Sequence, residues 1–187
     1  EALRQNDREV AESLDTLEFE EQVKHADASL HTYLSIKFPL FDQHGKVYAI
    51  CGMSTDISKR KEIELNLRKL NLAVEQSPSL VVITDLNGVI EYVNHKLTEL
   101  TGYQPEDVIG QLPRIFKADA TPESVHKELW ETITSGKEWR GVIQNKKKNG
   151  QTYWAQESIA PVKNDQGEIT HYVAIQEDVT SARALSE

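Results

Sequence analysis

The sequence predicts an α+β fold, a five-stranded antiparallel sheet with helices on one face, joined to a connecting amphipathic helix. Three observations carry this. Runs rich in Val, Ile, Thr and Tyr are separated by Asp/Asn–Gly turns, which is the pattern of hairpins. Strand-type and helix-type segments are segregated along residues 78–180, which favours an antiparallel sheet over an alternating α/β arrangement. Two segments, "PLFDQHGKVYAICGMSTDIS" (39–58) and "PVKNDQGEITHYVAIQEDVT" (161–180), repeat one strand–turn–strand pattern.

The repeat sets the domain organisation. Pro39 and Pro161, Gly45 and Gly167, and Asp56 and Asp178 are all separated by 122 positions (161 − 39 = 122). Ahead of its repeat the first copy has only about one helix and one further strand, whereas the second has a full lead-in from Leu80. The expected layout is a C-terminal half of a truncated domain (1–57), a linker helix (58–77), a complete domain (78–180) and the start of an exit helix (181–187). The linker, "SKRKEIELNLRKLNLAVEQS", has neither Gly nor Pro, and Ile63, Leu67, Leu70 and Val74 form a heptad seam. That seam fits an amphipathic helix lying on its own domain, or a parallel dimer helix that carries signals between domains.

In the complete domain, "LVVITDLNGVIEYVN" (80–94) reads as a hairpin. Two short helices follow, stopped by Gly102 and Gly110. "TPESVHKELWETITSG" reads as a longer helix with Thr121 as N-cap, Pro122 at its first position, an apolar face of Val125, Leu129 and Ile133, and Gly136 at its end. Strands are expected over Trp139–Lys146, Thr152–Val162 and Ile169–Val179.

Composition excludes several classes. A formal charge of −9 opposes general nucleic-acid binding, which needs a positive field. A lone cysteine, Cys51, rules out an internal disulfide and a cysteine zinc cluster, and it reads as an inert strand residue. No apolar run is long enough to span a membrane, and "EALRQNDREV" is not a signal peptide. A cytoplasmic piece of a larger protein is expected. Six scattered histidines give no metal site, and no nucleophile–base pairing marks an enzyme.

Taken together, "ITDLNGVIEYVN", "LTGYQPEDVIG", the "G…KKNG…W" strand pair and the closing "IQEDVT" resemble the PAS family with its C-terminal PAC motif. The resemblance covers 78–180, and Asp56, Asp178 and Thr180 match the family's signal exit into a following helix. It implies a sensory input and dimerisation module of a histidine kinase or cyclic-dinucleotide enzyme, itself without catalytic activity, acting as a homodimer linked to an output domain. The last three strands resemble the flavin-binding light-oxygen-voltage and redox-sensor forms. Asn145 and Gln176 fall at their amide positions, Trp139 and Gly141 fit the redox sensors' Trp-x-Gly pattern, and Ile143 lies beside them. Such a site would take FAD or FMN without a covalent bond, since Pro113 stands where the photoreactive cysteine would be. The truncated copy has Val23 and Ser54 at the amide positions, so the fold does not require the pair. The alternative is a cofactor-free interaction and relay module in which the amides bond to neighbouring strands. Haem is disfavoured because His126 reads as a surface residue beside the face formed by Val125 and Leu129. Lys146, Lys147 and Lys148 read as a solvated hairpin turn, with the possible added role of meeting a dinucleotide's phosphates.

Overall fold

A computed structural model describes residues 2–118 and 120–185. The chain divides within its long helix into two compact units, residues 1–69 and 70–187. The last two residues of the expected exit segment, 186 and 187, lie outside the described residues.

The first unit has a helix, α1 (Ala2–Ser13), and a three-stranded antiparallel sheet of β1 (Leu17–Lys24), β2 (Leu30–Phe41) and β3 (Val47–Asp56) in that order. The long helix α2 (Ser58–Glu75) follows. No residue of α2 is buried, and Ile63, Leu67 and Leu70 are all more than half exposed. Of the seam only Val74, near the helix end, is half-buried.

In the second unit, β4 (Leu80–Thr84) and β5 (Ile90–Val93) form the opening hairpin. Next come α3 (Lys96–Thr101), the single turn α4 (Pro105–Val108), a 3-10 turn at Pro113–Phe116 and α5 (Glu123–Thr134). The unit closes with β6 (Trp139–Lys146), β7 (Thr152–Lys163), β8 (Ile169–Asp178) and α6 (Thr180–Ala184). The antiparallel sheet runs β5-β4-β8-β7-β6, so the unit's first and last strands, β4 and β8, lie side by side within it. Its inner face and the helices enclose one core that includes Leu80, Ile90, Leu97, Val108, Ile133 and Tyr153. Buried Asn94 ties this core to the end of α2. Its Nδ2 donates to the Val74 and Ser79 carbonyls (2.9 and 3.1 Å), and its Oδ1 accepts the Val81 N–H (3.0 Å).

The start of α5 differs from expectation. Pro122 is the N-cap, with no side-chain cap bond, and Thr121 lies outside the helix. The Thr121 hydroxyl is buried against β6, where it accepts the Gln144 N–H at 3.0 Å and donates to the Gln144 carbonyl at 3.3 Å. A hydroxyl can satisfy a strand's unpaired backbone as readily as a helix's first turn.

Strand register repeats between the units with the 122-residue offset of the sequence. Val23 pairs with His31 as Asn145 pairs with Tyr153, and Tyr33 pairs with Asp56 as Ala155 pairs with Asp178. Even the irregularity recurs, between Leu40 and Phe41 and between Val162 and Lys163. The exits match as well. Asp56 Oδ1 accepts the Ser58 N–H and Asp178 Oδ1 accepts the Thr180 N–H, each at 2.9 Å. Ser58 and Thr180 in turn accept the N–H of Thr32 (2.8 Å) and of Trp154 (2.9 Å) through their hydroxyls. Each exit motif therefore joins its sheet to the start of the next helix through equivalent atoms. Asp56 also accepts from His31 Nδ1 at 2.6 Å, and the Ser58 bonds, reinforced by His31, hold its carboxyl down at about 2.

Candidate functional site

A cavity of about 350 Å³ lies between the inner face of the second sheet and the α5 side of the domain. That volume falls within the range of small-molecule sites. Strand parity decides which side chains line its sheet wall. Ile143 and Asn145 on β6, Glu157 and Ile159 on β7, and Tyr172, Ala174 and Gln176 on β8 all point inward.

The two amides meet. Asn145 and Gln176 are 4% and 5% exposed, and Asn145 Nδ2 donates to Gln176 Oε1 at 3.5 Å. The same oxygen accepts from the Tyr153 hydroxyl at 3.3 Å, and Gln176 Nε2 donates to Glu157 Oε1. The first unit shows what the same wall is without them. There the positions of Asn145, Glu157 and Gln176 carry Val23, Ser35 and Ser54. Beneath α1, buried Glu21 binds Lys37 at 2.9 Å and accepts from Asn6 and Ser35 at 2.8 and 2.7 Å. Burial would raise the Glu21 carboxyl, but these hydrogen bonds outweigh it and hold the group below its usual range.

Glu157 has no such support. It is 5% exposed, its one hydrogen bond among the described residues runs to Gln176, and burial pushes its carboxyl up to about 7, only partly opposed by that bond. Sequence reasoning missed this residue. The signal was its parity: Tyr153, Ala155 and Glu157 are alternate residues of one strand, and all three are buried.

Ile143 lines the cavity as expected, but Trp139 does not. Its indole is buried and folds over Gly141, where a Cβ would lie 2.5 Å from the ring. Gly141 is the register partner of Glu157, so the glycine gives this indole its place beside the buried acid's strand position. A second aromatic contact shapes the α5 side. Trp130 lines the cavity, stands edge-on to Tyr172 at 6.0 Å, and lies against Gly88, whose φ of +82° suits the β4–β5 turn.

His126 departs from the sequence reading. It faces the cavity, its Nε2 is buried without a partner among the described residues, and burial together with nearby Lys117 lowers its pKa. His126, Trp130 and Ile133 share a helix face at i, i+4 and i+7, which outranks its adjacency to Val125. Arg114 and Lys117 join it in the lining. The hairpin lysines do not. Lys148 pairs with Asp107 at 2.6 Å and stands over the Tyr103 ring, and Lys147 stands over Tyr153. Among the described residues no group of His, Cys, Asp and Glu could hold a metal ion, and no helix is long and apolar enough to cross a membrane.

Comparison with known proteins agrees with this architecture. The family described as PAS domain matches residues 78–181, and the family described as PAS fold matches residues 1–62. A nitrogen fixation regulatory protein of Klebsiella oxytoca is 33% identical over 114 residues, 61% of this chain and 23% of its own length. A blue-light-activated histidine kinase of Brucella anthropi is 32% identical over 112 residues (58% and 23%), and the Escherichia coli aerotaxis receptor 26% over 110 (59% and 22%). The chain thus spans under a quarter of the length of these curated relatives. Among solved structures, an RNA-binding light-oxygen-voltage receptor aligns over 97% of this chain and 83% of its own, with TM-score 0.58 and 15% identity, a likeness of fold alone. A light-oxygen-voltage domain studied with a flavin analogue aligns over 63% and 90%, with TM-score 0.57 and 25% identity. The register, the inward-facing wall and the matched span agree: the chain belongs to the PAS domain family.

Proposed function

We propose that residues 78–180 are a sensory module holding a flavin nucleotide, FAD or FMN, non-covalently in this cavity and responding to redox state or oxygen. The observation that carries the reading is the convergence of buried Asn145 and Gln176 on one cavity wall, beside Tyr153 and Glu157. Amides offer both a donor and an acceptor, which suits the alternating edge of an isoalloxazine ring. Arg114 and Lys117 supply basic groups for the phosphates, and Trp130 an aromatic wall. When bound, the flavin supplies reversible electron transfer; the residues around it bind, orient and exclude water. Pro113 lines the cavity and the chain's only cysteine is Cys51 of the first unit, so the chemistry proposed is redox rather than adduct formation.

The proposed output passes from Gln176 along β8 to the exit at Asp178 and Thr180, with Asp56 doing the same for residues 1–57, read as the C-terminal half of another PAS domain. The seam of exposed Ile63, Leu67 and Leu70 with half-buried Val74 is read as the surface through which α2 pairs in a homodimer. The module would then act in the cytoplasm, ahead of a kinase or similar output domain. His126 favours haem as a second reading, because a buried imidazole nitrogen without a partner among the described residues is an available axial ligand. Purified protein separates these outcomes. Flavin bands lost in an Asn145→Ala, Gln176→Leu variant that remains folded support the proposal. A Soret band supports haem, and a colourless folded protein refutes both and favours the cofactor-free relay.

A further inference from the structure

We propose that Glu157 meets the cavity's ligand as the neutral acid and donates a hydrogen bond to it, so that binding above neutral pH takes up one proton. This rests on the flavin reading and adds the charge state in which that site works.

The geometry begins with the two carboxyl oxygens. Oε1 accepts from Gln176, whereas the other oxygen has no hydrogen bond to the described residues and belongs to a side chain that lines the cavity. Gln176 cannot support the acid further, because its own oxygen already accepts from Asn145 and Tyr153. The groups that face the acid do not compensate a negative charge. β6 offers the Asn145 amide and β8 the Gln176 amide, while Tyr153 on β7 is a phenol that burial keeps protonated. From the opposite side come Arg114, Lys117 and His126, none of which forms an ion pair with Glu157 among the described residues. The matching wall of the first unit has a serine, Ser35, so the fold does not need an acid here.

A ring entering the cavity displaces water from the free oxygen. An ionised carboxylate would then lose its hydration with no cation in exchange, while a neutral acid keeps Gln176 on one oxygen and donates from the other. The ring atom opposite Glu157 must therefore be an acceptor, a carbonyl oxygen or unprotonated ring nitrogen, both of which oxidised flavin presents and neither of which needs a formal charge. The oxygen's preference for the neutral form already exists without ligand, since burial has raised the group to about 7.

The test is calorimetric titration of the full chain with FMN at pH 5.5 and 8.0, in buffers of different ionisation enthalpy. Expected are about one proton taken up at pH 8.0, almost none at pH 5.5, and affinity falling roughly tenfold per pH unit above neutrality. Glu157→Gln, which retains a donor, should bind without proton uptake and with flat affinity. Flat wild-type affinity, or unchanged uptake in Glu157→Gln, overturns the inference. If neither FMN nor FAD binds at any pH the flavin reading falls, and infrared titration of the ligand-free protein still decides the charge state. A protonated-carboxyl band present at pH 6, lost above pH 8 and missing in Glu157→Gln supports the neutral acid, while an ionised group at pH 6 overturns it.

Discussion

Replacing Glu157 by Gln should change how the stability of the second unit depends on pH. The folded carboxyl lies at about 7 against an ordinary 4.5, so between those values the folded state binds more protons than the unfolded chain. Stability contributed by this group is therefore fully present below about 4.5 and is lost as the pH rises to about 7. Above that, both states are ionised and the contribution is flat. The displacement of 2.5 units (7 − 4.5) corresponds to about 3 kcal/mol at 1.36 kcal/mol per unit. Gln is close in shape, can still accept from Gln176, and does not titrate. Wild type and variant should thus diverge across this window, with the variant gaining about 3 kcal/mol relative to wild type between pH 4.5 and pH 8. Urea unfolding followed by tryptophan fluorescence reads this directly, because Trp130, Trp139 and Trp154 all belong to the second unit. Other carboxylates cancel in the difference between the two proteins. Parallel stability curves would show that Glu157 is ionised in the fold at neutral pH and would refute the reasoning.

Two further perturbations test the packing and the assembly. Gly141→Ala places a methyl 2.5 Å from the Trp139 ring, so it should cost roughly 1–3 kcal/mol of stability by overpacking and reduce bound flavin; an unchanged urea midpoint with full flavin would contradict the account of that strand. Leu67→Glu with Leu70→Glu alters exposed positions and should leave thermal unfolding of the monomer within about 0.5 kcal/mol while converting a dimer to monomers in sedimentation. A wild-type chain that is already monomeric at high concentration would remove the seam's assigned role.

Much of this fold is legible in the sequence because period-2 patterning and turn chemistry are local. The limits of β6 fall at Trp139 and Lys146 as expected, Gly45 and Gly167 take positive φ in equivalent turns, and the 122-residue offset reappears in the register. The amide pair was identified from the resemblance to flavin-binding forms, and the repeat then supplied a comparison in Val23 and Ser54. The misses among polar residues have one physical origin: each has surroundings built by segments distant in sequence. Thr121 resembles a helix cap until β6 is placed beside it, and His126 looks exposed until α5 packs over the sheet. Glu157 resembles a solvated strand carboxylate until Gln176 closes over it. Trp139 was identified as part of a flavin pattern, but its ring packs over Gly141 and does not line the cavity.

The most direct measurement of the central claim is the absorbance spectrum and released-cofactor stoichiometry of the chain, purified folded under mild conditions and after incubation with FAD and FMN. The account predicts oxidised-flavin bands with close to one flavin per chain, bleached reversibly by dithionite and air. A folded protein that stays colourless after incubation with both nucleotides would contradict it.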